Sequence, residues 1–181
     1  MTANQLPLLV IVSGAPGSGK TTLAEKLAAH MRLLHLERDV FFRSLEYTAG
    51  KKVDRETIGI PRFYEAVTRI LSMGASLIID STLYKGISED AIIELQTIAD
   101  VVNVHCRAVK PHERFYAREV ERARGVPQWL PEFMPHLEKI HPLVVEPLVL
   151  AWDTIEVETT TVYKPTVSSI AKKLADRSNP S

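Results

Sequence analysis

The most specific chemistry in the chain is carried by Gly14, Ala15, Pro16, Gly17, Ser18, Gly19, Lys20 and Thr21, which match G-x-x-x-x-G-K-[ST] throughout. The glycines let the backbone curl until successive N–H groups point inward at a phosphate. The start of the following helix adds about half a positive charge. Lys20 suits the β- and γ-phosphate oxygens, and the Thr21 hydroxyl suits Mg²⁺; Thr22, next along the helix, is grouped with the loop as a nucleotide contact. A glycine turn before a helix-starting lysine is the bland alternative. The residues on either side favour a nucleoside triphosphate, because an apolar strand precedes the loop and a helical pattern follows it.

Phosphoryl transfer to an alcohol needs the hydroxyl held in line and relieved of its proton, and a nearby carboxylate serves both ends. Two acids close short apolar runs: Asp39 beyond residues 33–36, and Asp80 at the end of residues 76–80, SLIID. Ligands of a parallel sheet gather beyond the carboxyl ends of its strands. Asp39 with Phe41, Phe42 and Arg43 sets an acid, an apolar wall and a cation in one helical turn. The expected roles are therefore general base for Asp39 and acceptor contact for Asp39, Phe42 and Arg43. A helix N-cap is the other common use of an Asp in this place, and geometry separates the two. Asp80 is expected to hold Mg²⁺ with Thr21, directly or through water; a plain strand-end turn with Ser81 and Thr82 is the alternative.

Arg114, Arg118 and Arg122 fall at i, i+4 and i+8, with Arg124 just beyond and Gly125, Val126 and Pro127 as a turn. Such a stripe can swing over a triphosphate and cancel charge as the phosphoryl group moves, and Arg118 and Arg122 are the expected lid cations. A solvated face of Arg–Glu pairs is the competing explanation. His136 and His141 lack the H-E-x-x-H arrangement and do not argue for zinc. Trp129, Phe133 and Met134 are expected to pack a proline-rich segment. Tyr163, Lys164 and Pro165 suit either a purine edge or a strand-to-helix turn.

These groups need a scaffold that brings strand ends together. Apolar runs of strand length, at residues 8–13, 33–36, 76–80, 101–107 and 153–157, alternate with helical patterns at 20–31, 63–71, 87–99 and 167–176. In the first of these helices Ala24, Leu27, Ala28 and Met31 fall at i, i+3, i+4 and i+7. Continuous apolar strands separated by helices predict an α/β fold with a five-stranded parallel sheet and helices on both faces. Residues 48–60 and 125–147 are least regular. The latter holds Pro127, Pro131, Pro135, Pro142 and Pro147, which argues against one long helix. We expect one domain over residues 1–177, a lid around 118–140 and a disordered tail at 178–181.

Composition narrows the function. The 181 residues carry 22 Lys+Arg against 22 Asp+Glu, a formal charge of +0, so no overall field draws the chain to nucleic acid or an anionic membrane. By segment the charge is uneven. Arg107, Lys110, Arg114, Arg118, Arg122 and Arg124 outnumber three acids between residues 105 and 125, while Glu146, Asp153, Glu156 and Glu158 stand without a Lys or Arg between 143 and 162. The single cysteine, Cys106, excludes an internal disulfide and reads as a core thiol. The apolar run at 6–12 is too short to span a bilayer, so a cytoplasmic protein with no membrane contact is expected, as a monomer or homodimer. A base-reading N-K-x-D is absent, and Asp80 is followed by Ser81 rather than a second acid. A small phosphotransferase is what remains.

GAPGSGKTTLAEKLA, Arg38–Asp39, LIIDST, the arginine-rich helix and the RGVP turn together resemble the small P-loop kinases of the adenylate-kinase-like group. Within it the chain is most similar to the kinase domain of polynucleotide 5′-hydroxyl kinases and to the AAA_33 and zeta-toxin-like kinases. The resemblance implies a three-layer fold with sheet order 2-3-1-4-5, ATP with Mg²⁺, and a mobile lid. It implies a general base at Asp39, lid arginines at Arg118 and Arg122, and an acceptor-side group at Asp80. Two positions depart from the pattern: Arg43 falls one residue late, and the third strand ends Asp-Ser-Thr rather than Asp-Thr-Asn. The expected activity is an ATP-dependent kinase acting on a hydroxyl of a small molecule such as a nucleoside, sugar or antibiotic. A polynucleotide 5′-hydroxyl kinase and a nucleotide-binding switch or ATPase are the alternatives.

Overall fold

The computed structural model describes residues 6–178. Five strands and seven α-helices alternate: β1 (Leu8–Gly14), α1 (Lys20–Met31), β2 (Leu34–Glu37), α2 (Arg38–Ala49), α3 (Ile60–Ser72), β3 (Leu77–Asp80), α4 (Glu89–Gln96), β4 (Asp100–Arg107), α5 (Pro111–Ala123), α6 (Trp129–Val144), β5 (Asp153–Glu158) and α7 (Val167–Ser178). A π-helical turn, Arg55–Gly59, precedes α3. The strands are all parallel and ordered β2-β3-β1-β4-β5, as the family resemblance implies.

Side-chain alternation along β1 builds the three layers. Leu8, Val10 and Val12 face α1 and α7, packing on Leu23, Leu27, Ile170 and Leu174. Leu9 and Ile11 face the other way, onto Phe42, Phe63, Val67, Leu71, Ile92 and Leu95 from α2, α3 and α4. Every residue of β1 is buried, which is why its sequence is a continuous apolar run rather than an alternating one. Cys106 is a buried core thiol, and burial pushes its pKa up to about 12.

The structure corrects the sequence reading in two places. Residues 125–147 do contain one long helix, α6, with Pro135 and Pro142 inside it. Pro131 occupies the third helical position, where no intrahelical N–H partner is required. The two interior prolines each delete a backbone bond, but Leu130, Leu137, Ile140 and Val144 are buried along one side of the helix and hold it in place. Helix α4 is shorter than its apolar pattern. Ile87 is 71% exposed, and the chain tightens through Ile98 N–H to Leu95 O before β4 begins. Of the expected tail, Ser178 is the last residue of α7 and residues 179–181 lie outside the described residues.

Candidate active site

In this sheet order the chain leaves β1 with β3 on one side and β4 on the other, so the crevice at its carboxyl end lies at the topological switch point. Residues 14–19 turn there before α1 begins. Gly14, at φ 135°, and Gly17, at φ 83°, adopt backbone conformations that other residues rarely take. Space is equally demanding. A Cβ on Gly14 would lie 2.5 Å from the Cys106 carbonyl oxygen, and one on Gly17 would lie 1.9 Å from that of Pro111. The loop is therefore pressed between β4 and the first turn of α5.

Lys20 Nζ donates to Ala15 O at 3.1 Å, and the Ser18 N–H donates to the same carbonyl at 3.0 Å. Burial pulls the Lys20 ammonium down to about 8, outweighing the opposing attraction of Asp80 and Asp39. An ammonium under that desolvation suits a phosphate partner. Thr22 is exposed on α1 and is not among the residues lining the cavity described below.

Thr21 and Asp80, far apart in sequence, meet beneath the loop. Thr21 Oγ1 donates to Asp80 Oδ2 at 2.5 Å, and His35 Nε2 lies 3.1 Å from Asp80 Oδ1. The β2–β3 and β1–β3 registers place Glu37 and Val12 beside Asp80, which is 4% exposed. A hydroxyl and a buried carboxylate in contact form a hard oxygen donor pair, the kind Mg²⁺ takes while retaining several waters. These residues fit the ion, and Thr21 and Asp80 are the groups that could hold it.

Asp39 is the second residue of α2, inside the first turn rather than at the cap, which is Glu37 without a side-chain cap bond. The Asp39 carboxylate has no hydrogen-bond or ion-pair partner among the described residues. It lines a cavity of ≈ 730 Å³ together with Pro16, Gly17, Lys20, Thr21 and Asp80. Arg43 lines the same cavity, 3.8 Å from Glu37 Oε1. Burial, then the negative charge of Asp80, raises the Glu37 pKa. Phe42 is placed differently: it is 4% exposed, faces the α2–α4 side of the core, and is not a lining residue. The Arg38 and Arg55 guanidinium groups lie 5.8 and 5.5 Å from its ring centroid. Arg38 also donates from Nη1 to Thr82 O at 3.0 Å.

The arginine stripe on α5 divides. Arg118 and Arg122 line the cavity and share Glu119, at 2.9 and 3.5 Å, while the Arg118 guanidinium lies 5.1 Å from the Phe115 ring centroid. Arg114 turns toward the phosphate loop, where a Cβ on Gly19 would lie 3.9 Å from its Nη2. Helix α6 adds Trp129, Phe133 and His136 to the cavity wall. His141 instead faces His112 across the α5–α6 contact, with ring centroids 4.7 Å apart. Tyr163 packs against the α1–α7 side of the core, with Lys26 Nζ 4.9 Å from its ring centroid.

The structure thus brings Lys20, Thr21, Asp39, Arg43, Asp80, Arg118 and Arg122 to one cavity. Sequence reading passed over His35, Lys52, Arg55 and Glu119 as site residues. His35 and Glu37 share a face of β2 that points to Asp80, a parity visible only once β2 is paired with β3. Lys52 and Arg55 carried a faint signal, being cations in an irregular stretch between two helices.

The AAA_33 family model, an AAA domain, matches residues 9–130. A search of curated proteins gives no significant match. Among solved structures, the chain is 26% identical to a "putative kinase" from Chloroflexus aurantiacus J-10-fl, covering 96% of this chain and 99% of that one with a TM-score of 0.74. A gluconokinase from Sinorhizobium meliloti 1021 superposes at a TM-score of 0.60 with 16% identity, covering 94% of this chain and 93% of that one. The Mycobacterium tuberculosis APS kinase, solved with AMPPNP and APS, does so at 0.60 with 14% identity, covering 96% and 98%. The three-layer P-loop kinase fold is shared across all three.

Proposed function

The chain belongs to the AAA_33 family, and on that footing we propose that it is an ATP-dependent kinase that phosphorylates a hydroxyl of a small molecule, with Asp39 as general base. The observation that carries this reading is a carboxylate without a protein partner in the same cavity as the phosphate-loop lysine. A nucleotide switch has no need of such an acid beside its γ-phosphate.

The roles follow from the chain's own groups. Backbone N–H groups of Gly17, Gly19 and Lys20 at the start of α1 hold the β- and γ-phosphates, and the Lys20 ammonium neutralises charge on them. Mg²⁺, when held by Thr21 and Asp80, offsets phosphate charge. Asp39 orients the acceptor hydroxyl and takes its proton. The acceptor oxygen forms its bond to the γ-phosphorus as the bond from that phosphorus to the β–γ bridging oxygen breaks, leaving ADP. Arg118 and Arg122, in a lid formed by α5 and α6, face the charge that develops during transfer. Their shared Glu119 keeps them paired with each other's position until phosphate oxygens compete for them.

The test is transfer of labelled γ-phosphate from ATP to a panel of sugars, nucleosides, antibiotics and 5′-hydroxyl oligonucleotides. Lys20→Ala should abolish both nucleotide binding and transfer. Asp39→Asn should lower kcat by about 10²–10⁴-fold with nucleotide affinity retained. Unchanged turnover in Asp39→Asn rules out the general base. Phosphate release equally fast with and without every acceptor favours a switch or ATPase.

A further inference from the structure

Resting on the kinase reading, we propose that the acceptor is an anion: a small hydroxyl compound whose carboxylate or phosphate is held by Lys52 and Arg55. Both line the cavity that contains Asp39, and both come from the segment between α2 and α3, to which no role in handling ATP has been given. Residues 37–55 bring four cations, Arg38, Arg43, Lys52 and Arg55, and two acids, Glu37 and Asp39, to the cavity, while the rest of its wall carries Lys20, Arg118 and Arg122 with Asp80, Glu119 and Glu132.

What marks Lys52 and Arg55 is an unpaired charge on the wall of the Asp39 cavity rather than on open surface. Lysines on the open surface, such as Lys26, Lys85 and Lys139, also lack a carboxylate within ion-pair distance among the described residues, whereas Arg62 and Arg69 pair with Glu65, Lys110 with Glu113, and Arg107 with Glu146 and Glu156. Even the lid arginines share Glu119. Lys52, Arg55 and Arg38 have no carboxylate within ion-pair distance among the described residues. Asp54, next to Arg55, is already committed, because its Oδ1 accepts from the Thr57 N–H at 2.8 Å as the cap of the π-helical turn. Arg38 adds a second sign, since its Nε is buried without a hydrogen-bond partner.

Arg55 is also held in place. It lies over the buried Phe42 ring, on the turn that approaches that ring so closely that a Cβ on Gly59 would come within 3.2 Å of it. A guanidinium fixed in this way, with Lys52 on the same cavity wall, matches an oxyanion on the acceptor. A neutral sugar leaves them unpaired when water is excluded, and a cationic aminoglycoside is repelled. A cavity of ≈ 730 Å³, walled by α5 and α6, has the size of a small-molecule site.

The test separates binding from turnover. The protein is saturated with AMP-PNP and Mg²⁺ so that the phosphate loop is filled. It is then titrated calorimetrically with matched pairs: glycerate and glycerol, gluconate and sorbitol, glucose 6-phosphate and glucose. The anionic member of at least one pair should bind 10-fold or more tightly than its neutral partner. The Lys52→Ala/Arg55→Ala double variant should erase that difference while AMP-PNP affinity stays within two-fold. A carboxylate source and a phosphate source are told apart by which pair shows the preference. Equal binding within every pair, a preference that survives the double variant, or tighter binding of a 5′-hydroxyl oligonucleotide or an aminoglycoside each overturns the proposal. The kinase reading is scored independently by γ-phosphate transfer. Anion-selective binding without transfer from ATP removes that reading and keeps the anion site, whereas transfer to neutral acceptors, unaffected by the double variant, does the reverse.

Discussion

Lys20 is a charge that the fold does not favour on its own account. Its pKa is lowered from 10.5 to about 8, so the folded chain binds that proton more weakly than the unfolded chain does. The stability withheld is in full force below pH 8 and is recovered as pH rises toward 10.5. Replacing Lys20 by Met keeps much of the bulk and removes the charge. Without nucleotide at pH 7, Lys20→Met should stabilise the protein by about 1–3 kcal/mol in urea denaturation while losing nucleotide binding. No gain in stability would show that the lysine is already well solvated. Asp39 illustrates the limit of residue identity as a guide. An Asp between a strand and a helix reads as a cap or as a base; its place in the first turn of α2, beyond the Glu37 cap, removes the cap reading, and the base reading rests on the transfer assay.

At the scale of elements, strands and helices with strong periodicity were legible, and α6 was not. Five prolines between residues 125 and 147 speak against a helix locally, yet burial of Leu130, Leu137, Ile140 and Val144 outweighs two missing backbone bonds. The same helix is tied to the sheet through His105 of β4, whose Nε2–H donates to Val145 O at 3.0 Å while Nδ1 lies 2.9 Å from Ser13 Oγ. Burial lowers the His105 pKa, the neighbouring Arg107 also lowers it, and Glu156 and Glu146 oppose them. At the α5–α6 contact burial and His141 lower the His112 pKa, against Glu138. Both groups have an ordinary value of 6.5. Below it the unfolded chain takes up protons that the folded chain resists. The urea midpoint should therefore hold steady from pH 8 to 7, then fall as pH drops below 6.5 and through the lowered folded values. His112→Gln should lessen that fall, and an unchanged pH profile would mean that the imidazole pair is freely solvated.

For the whole molecule, parallel order and layering were readable because β1 is apolar on both faces, whereas the gathering of Lys52, Arg55 and Arg118 at one cavity was not, since no local pattern joins segments so distant. The neutral total also takes on a structural meaning. The basic and acidic stretches partly cancel across the fold, with Arg107 bound to Glu146 at 2.5 Å and also to Glu156. The two core layers share strands, so they should melt together. Leu27→Ala on one face and Phe63→Ala on the other should each cost about 2–5 kcal/mol and shift a single transition. Circular dichroism and tryptophan fluorescence are expected to coincide in both variants; separate transitions would show that the faces unfold independently.

The near-contact of Gly17 with Pro111 also sets the mechanics of the nucleotide end. Because the phosphate loop and the first turn of α5 meet backbone to backbone, any tilt of α5 about that end would have the loop as its fulcrum. Arg122 lies eleven residues beyond Pro111 along that helix, a lever arm of about 16 Å at the usual helical rise. A tilt of about 15° moves the tip by roughly 4 Å while scarcely disturbing the end that rests on Gly17. In such a tilt Arg114, near the fulcrum, would stay beside the loop, and Arg118 and Arg122 would sweep progressively longer arcs. A side chain at residue 17 would wedge the fulcrum open and displace the far arginines most, although it touches neither.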